Sequence, residues 1–261
     1  MLEVAQLSLA LSGRRLLHEI GFSARPGQIT AIIGPNGSGK TTLLRALTGE
    51  VPALPLPGLR LSLNGHDIAR TKPRILAQFR AVLAQSTQVA FPYTAAEIVR
   101  LGLDAGSGGA APDLIDRLLA EVDLPGAGGR PYHQFSGGEQ ARVQLARVLA
   151  QARQPVTPEG PGWLFLDEPV ASLDIGHQLM VMRIARSFAD AGGGVVMVLH
   201  DLNLTAMVAD QVLLMHAGRL LAQGRVDQVL TDALLGQAFG CPIRVGRAPA
   251  SGPWILPQSA A

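Results

Sequence analysis

The sequence predicts an α/β fold, in which helices cover a mostly parallel β-sheet. An apolar run at residues 28–33 ends in a glycine-rich turn, and helical periodicity follows over residues 40–47. Strand-like runs return at residues 163–166, 195–199 and 212–215, with helix-like stretches between them. Strands that alternate with helices are typical of parallel sheets, because each crossover connection packs a helix against the sheet.

The N-terminal part predicts a smaller, antiparallel β portion beside this sheet. Residues 2–11 read as a strand with recurring apolar positions. A proline-rich break at residues 52–58 precedes an alternating apolar and polar run at residues 59–63, which ends in the turn Asn64-Gly65. We expect these segments to lie outside the parallel sheet.

Residues 74–149 read as mostly helical, which predicts a helical insertion subdomain in the α/β core. We expect helices at residues 74–80, 94–101, 112–122 and 138–152, with glycine-rich joints at 106–109 and 126–129, and later helices at about 175–190 and 202–209. The chain is predicted to form one domain, with a core (1–84 and 154–240), a helical subdomain (85–153) and an extended, proline-rich tail (241–261).

Length and composition exclude several classes of protein. A chain of 261 residues with 48% hydrophobic residues buries a sizeable core and is not a disordered protein. No apolar run approaches the roughly 18 residues that span a bilayer, and residues 1–10 lack the basic start of a signal peptide. The single cysteine, Cys241, fits a reducing compartment. A net charge of +2 gives no reason to expect nucleic acid as a partner.

A phosphate-loop pattern, G-x-x-x-x-G-K-[ST], follows the first apolar run. It consists of Gly34, Pro35, Asn36, Gly37, Ser38, Gly39, Lys40 and Thr41, and Thr42 comes next. The glycines allow the backbone to wrap around a triphosphate, and the following helix adds its positive N-terminal end. Lys40 is expected to reach the β- and γ-phosphates, and the Thr41 hydroxyl to ligate Mg²⁺. The pattern therefore predicts a P-loop NTPase core that binds ATP and Mg²⁺.

The second half of the predicted site is a pair of carboxylates, Asp167 and Glu168, at the end of the apolar residues 163–166. Ligands of open α/β sheets bind at the carboxyl ends of the strands. Asp167 is predicted to hold Mg²⁺ through water, and Glu168 to orient or deprotonate the attacking water. The alternative is a solvated acidic turn, which the phosphate-loop pattern disfavours.

With residues 135–140, Phe-Ser-Gly-Gly-Glu-Gln, the sequence resembles the ATP-binding subunits of ABC transporters over nearly the whole chain. The resemblance implies that Gln85, Glu168 and His200 serve catalysis and that Thr41, Gln85 and Asp167 form the metal site. It also implies that nucleotide contacts come from the signature Ser136, Gly137, Gly138 and Glu139 and from Asp174 of the D-loop Ser172-Leu173-Asp174. Taken alone, Gln85 could be a surface residue and His200 a structural one.

The signature has a physical meaning of its own. Ser-Gly-Gly at the start of a helix is a second anion site, so one chain carries two phosphate-binding ends. Two chains that pack head to tail would bring each signature to the other's phosphate loop. We therefore expect a symmetric homodimer that closes on two ATP molecules.

Several segments resemble the importers of iron chelates, heme and vitamin B12, and within that group the hemin import ATP-binding proteins. They include residues 91–94, 136–151, 174–178 and 199–204, a proline-rich insertion at 154–162 and the tail. The resemblance implies two membrane permease subunits as partners, a periplasmic heme-binding protein that acts indirectly, and a peripheral position on the cytoplasmic face of the inner membrane. Siderophore or vitamin B12 import is the first alternative, and a soluble ABC ATPase acting on DNA or ribosomes the more distant one.

The chain departs from the family pattern at two places. Phe135 replaces the usual leucine before the signature, which is an exchange of one apolar residue for another. The aromatic ring that often stacks on adenine is absent, since alignment on Gly13 gives Leu11 or Ala10. Leu11 either faces the adenine or belongs to the core, because it continues the apolar alternation of its strand.

Overall fold

The structure, a computed structural model, describes residues 1–85, 89, 91–106 and 113–257. The strands are β1 (Leu2–Leu11), β2 (Arg14–Ala24), β3 (Ile29–Ile33), β4 (Arg60–Leu63), β5 (His66–Asp67), β6 (Arg80–Leu83), β7 (Val156–Thr157), β8 (Gly160–Pro161), β9 (Trp163–Asp167), β10 (Gly194–Val198), β11 (Gln211–His216) and β12 (Arg219–Gly224). The helices are α1 (Lys40–Leu47), α2 (Pro73–Leu76), α3 (Ala95–Ala105), α4 (Leu114–Glu121), α5 (Gly137–Gln151), α6 (Ile175–Asp190), α7 (Leu202–Val208), α8 (Val226–Val229) and α9 (Asp232–Phe239).

The central sheet has six strands in the order β12-β11-β3-β10-β9-β6. Its pairs are parallel except for β11 and β12. All residues of β3, β9 and β10 are buried, because helices or the second sheet cover both faces. The α/β fold with a mostly parallel sheet is therefore confirmed.

The second sheet is antiparallel, in the order β2-β1-β4-β5. It shares a hydrophobic core with α1 and one face of the central sheet, to which β9 contributes Trp163 and Phe165. The other face of the central sheet packs into a second core with α3, α4, α5, α6 and α7. This arrangement confirms both the antiparallel β portion and the helical insertion.

We refer to α3, α4 and α5 as the helical layer. The α3–α5 contact is close, since a Cβ at Gly102 would collide with the carbonyl oxygen of Arg147. Arg147 also links α5 to the central sheet: its Nη2 donates to the carbonyl of Val82 in β6 at 3.0 Å. The C-terminal half of the helix that begins with the signature is therefore bonded to β6, an edge strand of the central sheet.

One predicted helix is wrong. Residues 74–80 form only the short α2, and the chain then enters β6, which pairs in parallel with β9. Ala81 and Leu83 of β6 are buried in the helical-layer core. Tertiary pairing with a buried strand overrides local periodicity here, because a run of only three apolar residues, Ala81 to Leu83, fits a helix and a strand equally well.

Other segments were not expected from the sequence pattern. The strands β2 and β12 return antiparallel to β1 and β11, and α8 and α9 pack on β11. Residues 107–109 of the predicted glycine-rich joint and Pro112, the expected helix start, lie outside the described residues. Residues 241–256 carry neither helix nor strand, in keeping with a tail, and the last four residues lie outside the described part. Within the described residues, none of the helices combines the length and the apolar character that a membrane span requires.

Candidate nucleotide site

The phosphate loop connects β3 to α1 through glycine conformations that other residues rarely adopt. Gly34, Gly37 and Gly39 have φ values of 145°, 77° and 100°. A Cβ at Gly34 would collide with the carbonyl oxygen of Met215. Gly39 is the left-handed N-cap of α1, so the first N–H groups of this helix open toward the loop. The loop is thus shaped as a cradle for an anion.

Two buried polar groups of this cradle lack an anionic partner. Lys40 Nζ donates to the carbonyls of Gly34 at 2.9 Å and Pro35 at 3.1 Å, and burial lowers its pKa. Ser38 Oγ is buried and has no hydrogen-bond partner among the residues that the structure describes. Both groups are donors, so phosphate oxygens in the cradle would satisfy them. These residues therefore fit a nucleoside triphosphate.

Thr41 and Asp167 form a pair of oxygen ligands at the start of α1. Thr41 Oγ1 donates to Asp167 Oδ1 at 3.2 Å. Burial, with smaller contributions from Glu168 and Glu50, raises the pKa of Asp167 to about 6, although the hydrogen bond from Thr41 and the charge of Lys40 oppose the shift. A divalent cation would favour the charged form of this carboxylate, and a hydroxyl with a carboxylate is a donor set that Mg²⁺ accepts. The pair therefore fits a magnesium ion.

Glu168 is held from two sides. Its Oε2 accepts a hydrogen bond from Gln85 Nε2 at 3.0 Å, and its Oε1 lies 2.6 Å from His200 Nε2. The backbone of Glu168 is left-handed, with φ 52°, and its N–H donates to the carbonyl of Val198 at 3.2 Å. These contacts fix the carboxylate at the rim of the cleft. The Glu168 side chain is 14% exposed, so the carboxylate stays accessible to a water molecule.

These residues meet in one cleft beside the phosphate loop. It is lined by Leu16, Asn36, Gly37, Gly39, Lys40, Thr41, Thr42, Gln85, Glu168 and His200. A neighbouring cleft shares Gln85 and Glu168 with the first and is also lined by Gly137, Gln140 and Ser172. The structure thus brings together the predicted catalytic residues and the phosphate loop, with the start of the signature helix next to them.

The signature caps its own helix. Ser136 is the N-cap of α5: its Oγ accepts from the Glu139 N–H at 3.3 Å, and its N–H donates to Glu139 Oε2 at 2.7 Å. Arg130 Nη1 lies 2.8 Å from Glu139 Oε1, and its guanidinium stands 4.1 Å from the centre of the Phe135 ring. The backbone N–H of Ser136 and then Arg130 lower the pKa of Glu139 to about 2.

The remaining predicted residues lie at the D-loop. Ser172 has a left-handed backbone, with φ 69°, and a Cβ at Gly138 would stand 3.1 Å from its carbonyl oxygen. Asp174 is the N-cap of α6 and accepts the His177 N–H at 2.9 Å. The signature and the D-loop are therefore in contact, and Asp174 already has a partner within its own chain.

Leu16 is the lining residue that the sequence reasoning missed. Leu11 is 44% exposed, so the alternative that it belongs to the core is wrong; the other alternative, that it faces the adenine, has no support from the cleft, whose lining includes Leu16 and not Leu11. Leu16 follows the turn at Ser12-Gly13 and lies on β2, and its carbonyl oxygen would stand 3.5 Å from a Cβ at Gly39. The apolar pair Leu16-Leu17 follows a turn, and this pattern could have predicted a returning strand at that point.

Similarity to known proteins identifies the family to which this site belongs. The family model described as "ABC transporter" matches residues 17–171, which include the phosphate loop, the signature and both carboxylates. The chain belongs to this family, as an ATP-binding subunit that hydrolyses ATP.

Several relatives within this family are similar to the chain over almost their whole length, and they share one name. The hemin import ATP-binding protein HmuV of Mesorhizobium japonicum is 52% identical over 99% of this chain and 99% of that protein. The proteins of the same name from Roseobacter denitrificans and Rhizobium meliloti are each 54% identical; they cover 99% and 100% of this chain, and 98% and 99% of their own lengths.

Solved structures agree on the fold. An ATP-binding subunit of an ABC transporter superposes with a TM-score of 0.75 at 23% identity, over 93% of this chain and 94% of that one. A bacterial Atm1-family ABC exporter with ATP bound gives a TM-score of 0.77 at 24% identity, over 96% of this chain and 42% of the exporter. These likenesses show the fold alone.

Replacing Asp167 by Asn should stabilise the nucleotide-free protein while it removes hydrolysis. The pKa of Asp167 in the folded state, about 6, lies above its ordinary value of 3.8, so folding disfavours the charged form. Stability therefore falls as pH rises from about 4 to about 6, and the loss is complete above that range. Asp167→Asn removes this penalty, and we expect a gain of about 1–2 kcal/mol at about pH 7.5, allowing for solvent screening.

Urea denaturation at about pH 4.5 and about pH 7.5 measures this difference. The gain should be larger at the higher pH. The exposed Asp104→Asn is the matched control and should alter stability at neither pH. A loss of stability in Asp167→Asn at the higher pH would contradict the assignment.

Proposed function

We propose that this chain is the ATP-hydrolysing motor subunit of an importer of hemin. The observation that carries the proposal is full-length similarity, at 52–54% identity, to proteins named for hemin import. The cleft supports the ATPase half of the proposal, since the phosphate loop, the Mg²⁺ ligands and a fixed carboxylate meet within it. The residues of the cleft do not select the transported compound, so the cargo rests on similarity.

In this proposal the phosphate loop, with Thr42 at the start of α1, binds the triphosphate. Lys40 would exchange its two carbonyl partners for phosphate oxygens, which would also offer Ser38 a hydrogen-bond partner. Thr41, Gln85 and Asp167 would hold Mg²⁺, which would neutralise charge on the phosphates. Glu168 accepts a proton from the attacking water, and His200 and Gln85 hold its carboxylate in place.

We further propose that Leu16 contacts the adenine, in place of the aromatic ring that the chain lacks. Leu16 lines the cleft, whereas Leu11 is 44% exposed. Leu16→Ala should therefore weaken ATP binding about three- to tenfold, because it removes apolar surface worth about 1 kcal/mol from the contact. Fluorescent-nucleotide titration measures the change, with Leu11→Ala as the matched control. Equal effects of the two variants would contradict the assignment.

The functional unit in this proposal is a homodimer in which the signature of each subunit meets the phosphate loop of the other. Ser136, Gly137, Gly138, Glu139 and Asp174 contribute to the opposite site, and the support for this is that the start of the signature helix is a second anion-binding end. Residues 1–84 and 154–240 act as the nucleotide-binding core, residues 85–153 as the helical subdomain that bears the signature, and residues 241–261 as a tail.

Glu168→Gln should accumulate this dimer in the presence of ATP and Mg²⁺. The variant keeps the phosphate and metal contacts but loses the group that accepts a proton, so hydrolysis should fall by about 10² or more. Size exclusion with light scattering measures the dimer. Adding Ser136→Ala to Glu168→Gln should abolish the dimer while each monomer still binds ATP. A dimer that survives this second substitution would contradict the head-to-tail arrangement.

Two membrane permease subunits are the proposed partners, with the ATPase dimer peripheral on the cytoplasmic face of the inner membrane. A periplasmic heme-binding protein acts on this assembly indirectly, and no nucleic acid takes part. Siderophore or vitamin B12 import by the same motor is the nearest alternative, and a soluble ABC ATPase acting on DNA or ribosomes is a more distant one.

A growth experiment separates these functions. Cells that lack this chain should fail to grow with hemin as the only iron source, and should still grow on a ferric siderophore. The wild-type chain should restore growth on hemin, whereas Lys40→Ala, which removes the phosphate-binding cation, should not. A defect on the siderophore alone, or a vitamin B12 requirement alone, would contradict hemin as the cargo.

A further inference from the structure

A histidine bridges two carboxylates where the helical layer meets the start of α6. His177 Nδ1 lies 2.9 Å from Asp174 Oδ2, and His177 Nε2 lies 3.1 Å from Asp123 Oδ2. Asp123 follows α4, and Asp174 ends the D-loop. Arg142 of α5 completes the cluster: its Nη1 lies 3.5 Å from Asp123 Oδ2 and donates to the carbonyls of Val122 at 3.0 Å and Asp123 at 2.7 Å.

The bridge places one ring nitrogen of His177 against each carboxylate. Both ring nitrogens can take part in hydrogen bonds, so a single side chain reaches Asp123 and Asp174 at once, and Arg142 adds a cation to the cluster. The backbone N–H of His177, and then its ring, hold the pKa of Asp174 below its usual range, which keeps this carboxylate ionised.

The bridge joins two segments that are distant in sequence. Asp123 is fixed to α5 through Arg142, and α5 is the helix that begins with the signature. Asp174 is fixed to the D-loop because it caps α6. The signature also meets the D-loop directly, where Gly138 packs against the carbonyl of Ser172. Two contacts, one at Gly138 and one at His177, define the orientation of the signature helix relative to the D-loop.

We infer that His177 is a positioning residue that makes the signature helix and the D-loop one rigid unit. The inference rests on the homodimeric site proposed above, in which both segments contact the opposite subunit. A unit that moves as one body presents the signature and the D-loop to the partner's nucleotide in a fixed relation. Without the bridge, the contact at Gly138 would remain, but the two segments would be held less firmly relative to each other while the dimer closes.

This role differs from a contribution to stability. The carboxyl groups of Asp123 and Asp174 are 68% and 69% exposed, and exposed ion pairs stabilise a fold only weakly. We therefore expect His177→Gln to shift the thermal midpoint by no more than about 3 °C. The effect should appear instead in turnover, since the bridge orders groups that meet only in the closed dimer.

Steady-state ATP hydrolysis by the full chain tests the inference. His177→Gln should lower kcat about five- to tenfold and leave the KM for ATP within about twofold, because the phosphate loop is untouched. Asp123→Asn should have a similar effect, since Arg142 retains its two carbonyl partners in that variant. The double variant should be no slower than the slower single one, because both changes break the same bridge. His66→Gln, in the antiparallel sheet, is the matched control and should keep the wild-type kcat.

Two results would overturn the inference. One is a wild-type kcat in His177→Gln. The other is a double variant in which the losses multiply, which would mean that the two residues act independently. Failure of the dimer itself is distinguishable, because Glu168→Gln would then stay monomeric with ATP whatever residue stands at position 177.

Discussion

The candidate site depends on the in-register pairing of three buried parallel strands, β3, β10 and β9. Val198 is paired with Ile32 on one side and with Asp167 on the other, so the three strands end at the same level. The connection is continued by two further backbone hydrogen bonds, from Leu199 to the carbonyl of Ile32 and from Glu168 to the carbonyl of Val198, each 3.2 Å long. The phosphate loop, the two carboxylates and His200 follow the carboxyl ends of these strands, so they all lie at the same end of the sheet.

The ionisable groups at this end of the sheet suit a ligand that carries both negative and positive charge. Lys40 is buried and bonded only to carbonyl oxygens, and Asp167 is buried beside a second carboxylate. Each is a costly burial of an ionisable group in the free protein. Phosphate and a divalent cation together would relieve both costs, so the nucleotide with its metal is a better ligand than either component alone.

The sequence predicted the parts of the site whose chemistry is local. The phosphate loop, Asp167 and Glu168 were predictable because glycine, lysine and carboxylate positions at fixed spacing determine what they bind. The strand β6 was not predictable, because its three apolar residues have no distinctive period and only the pairing with β9 defines them as a strand. Leu16 was missed because its position depends on where the β1–β2 hairpin turns. The contact between Asp123 and His177 was missed because 54 positions in the chain separate the two residues.

The capping box of the signature determines the charge of the surface that we propose meets the partner subunit. Glu139 is the only acidic residue in the first turn of α5, and Arg130 together with the Ser136 N–H engages its carboxylate. With a pKa of about 2, Glu139 keeps one charge state throughout the range in which a cell lives. The signature therefore has no titrating group of its own in that range, and the charge at the start of its helix is insensitive to cellular acidity.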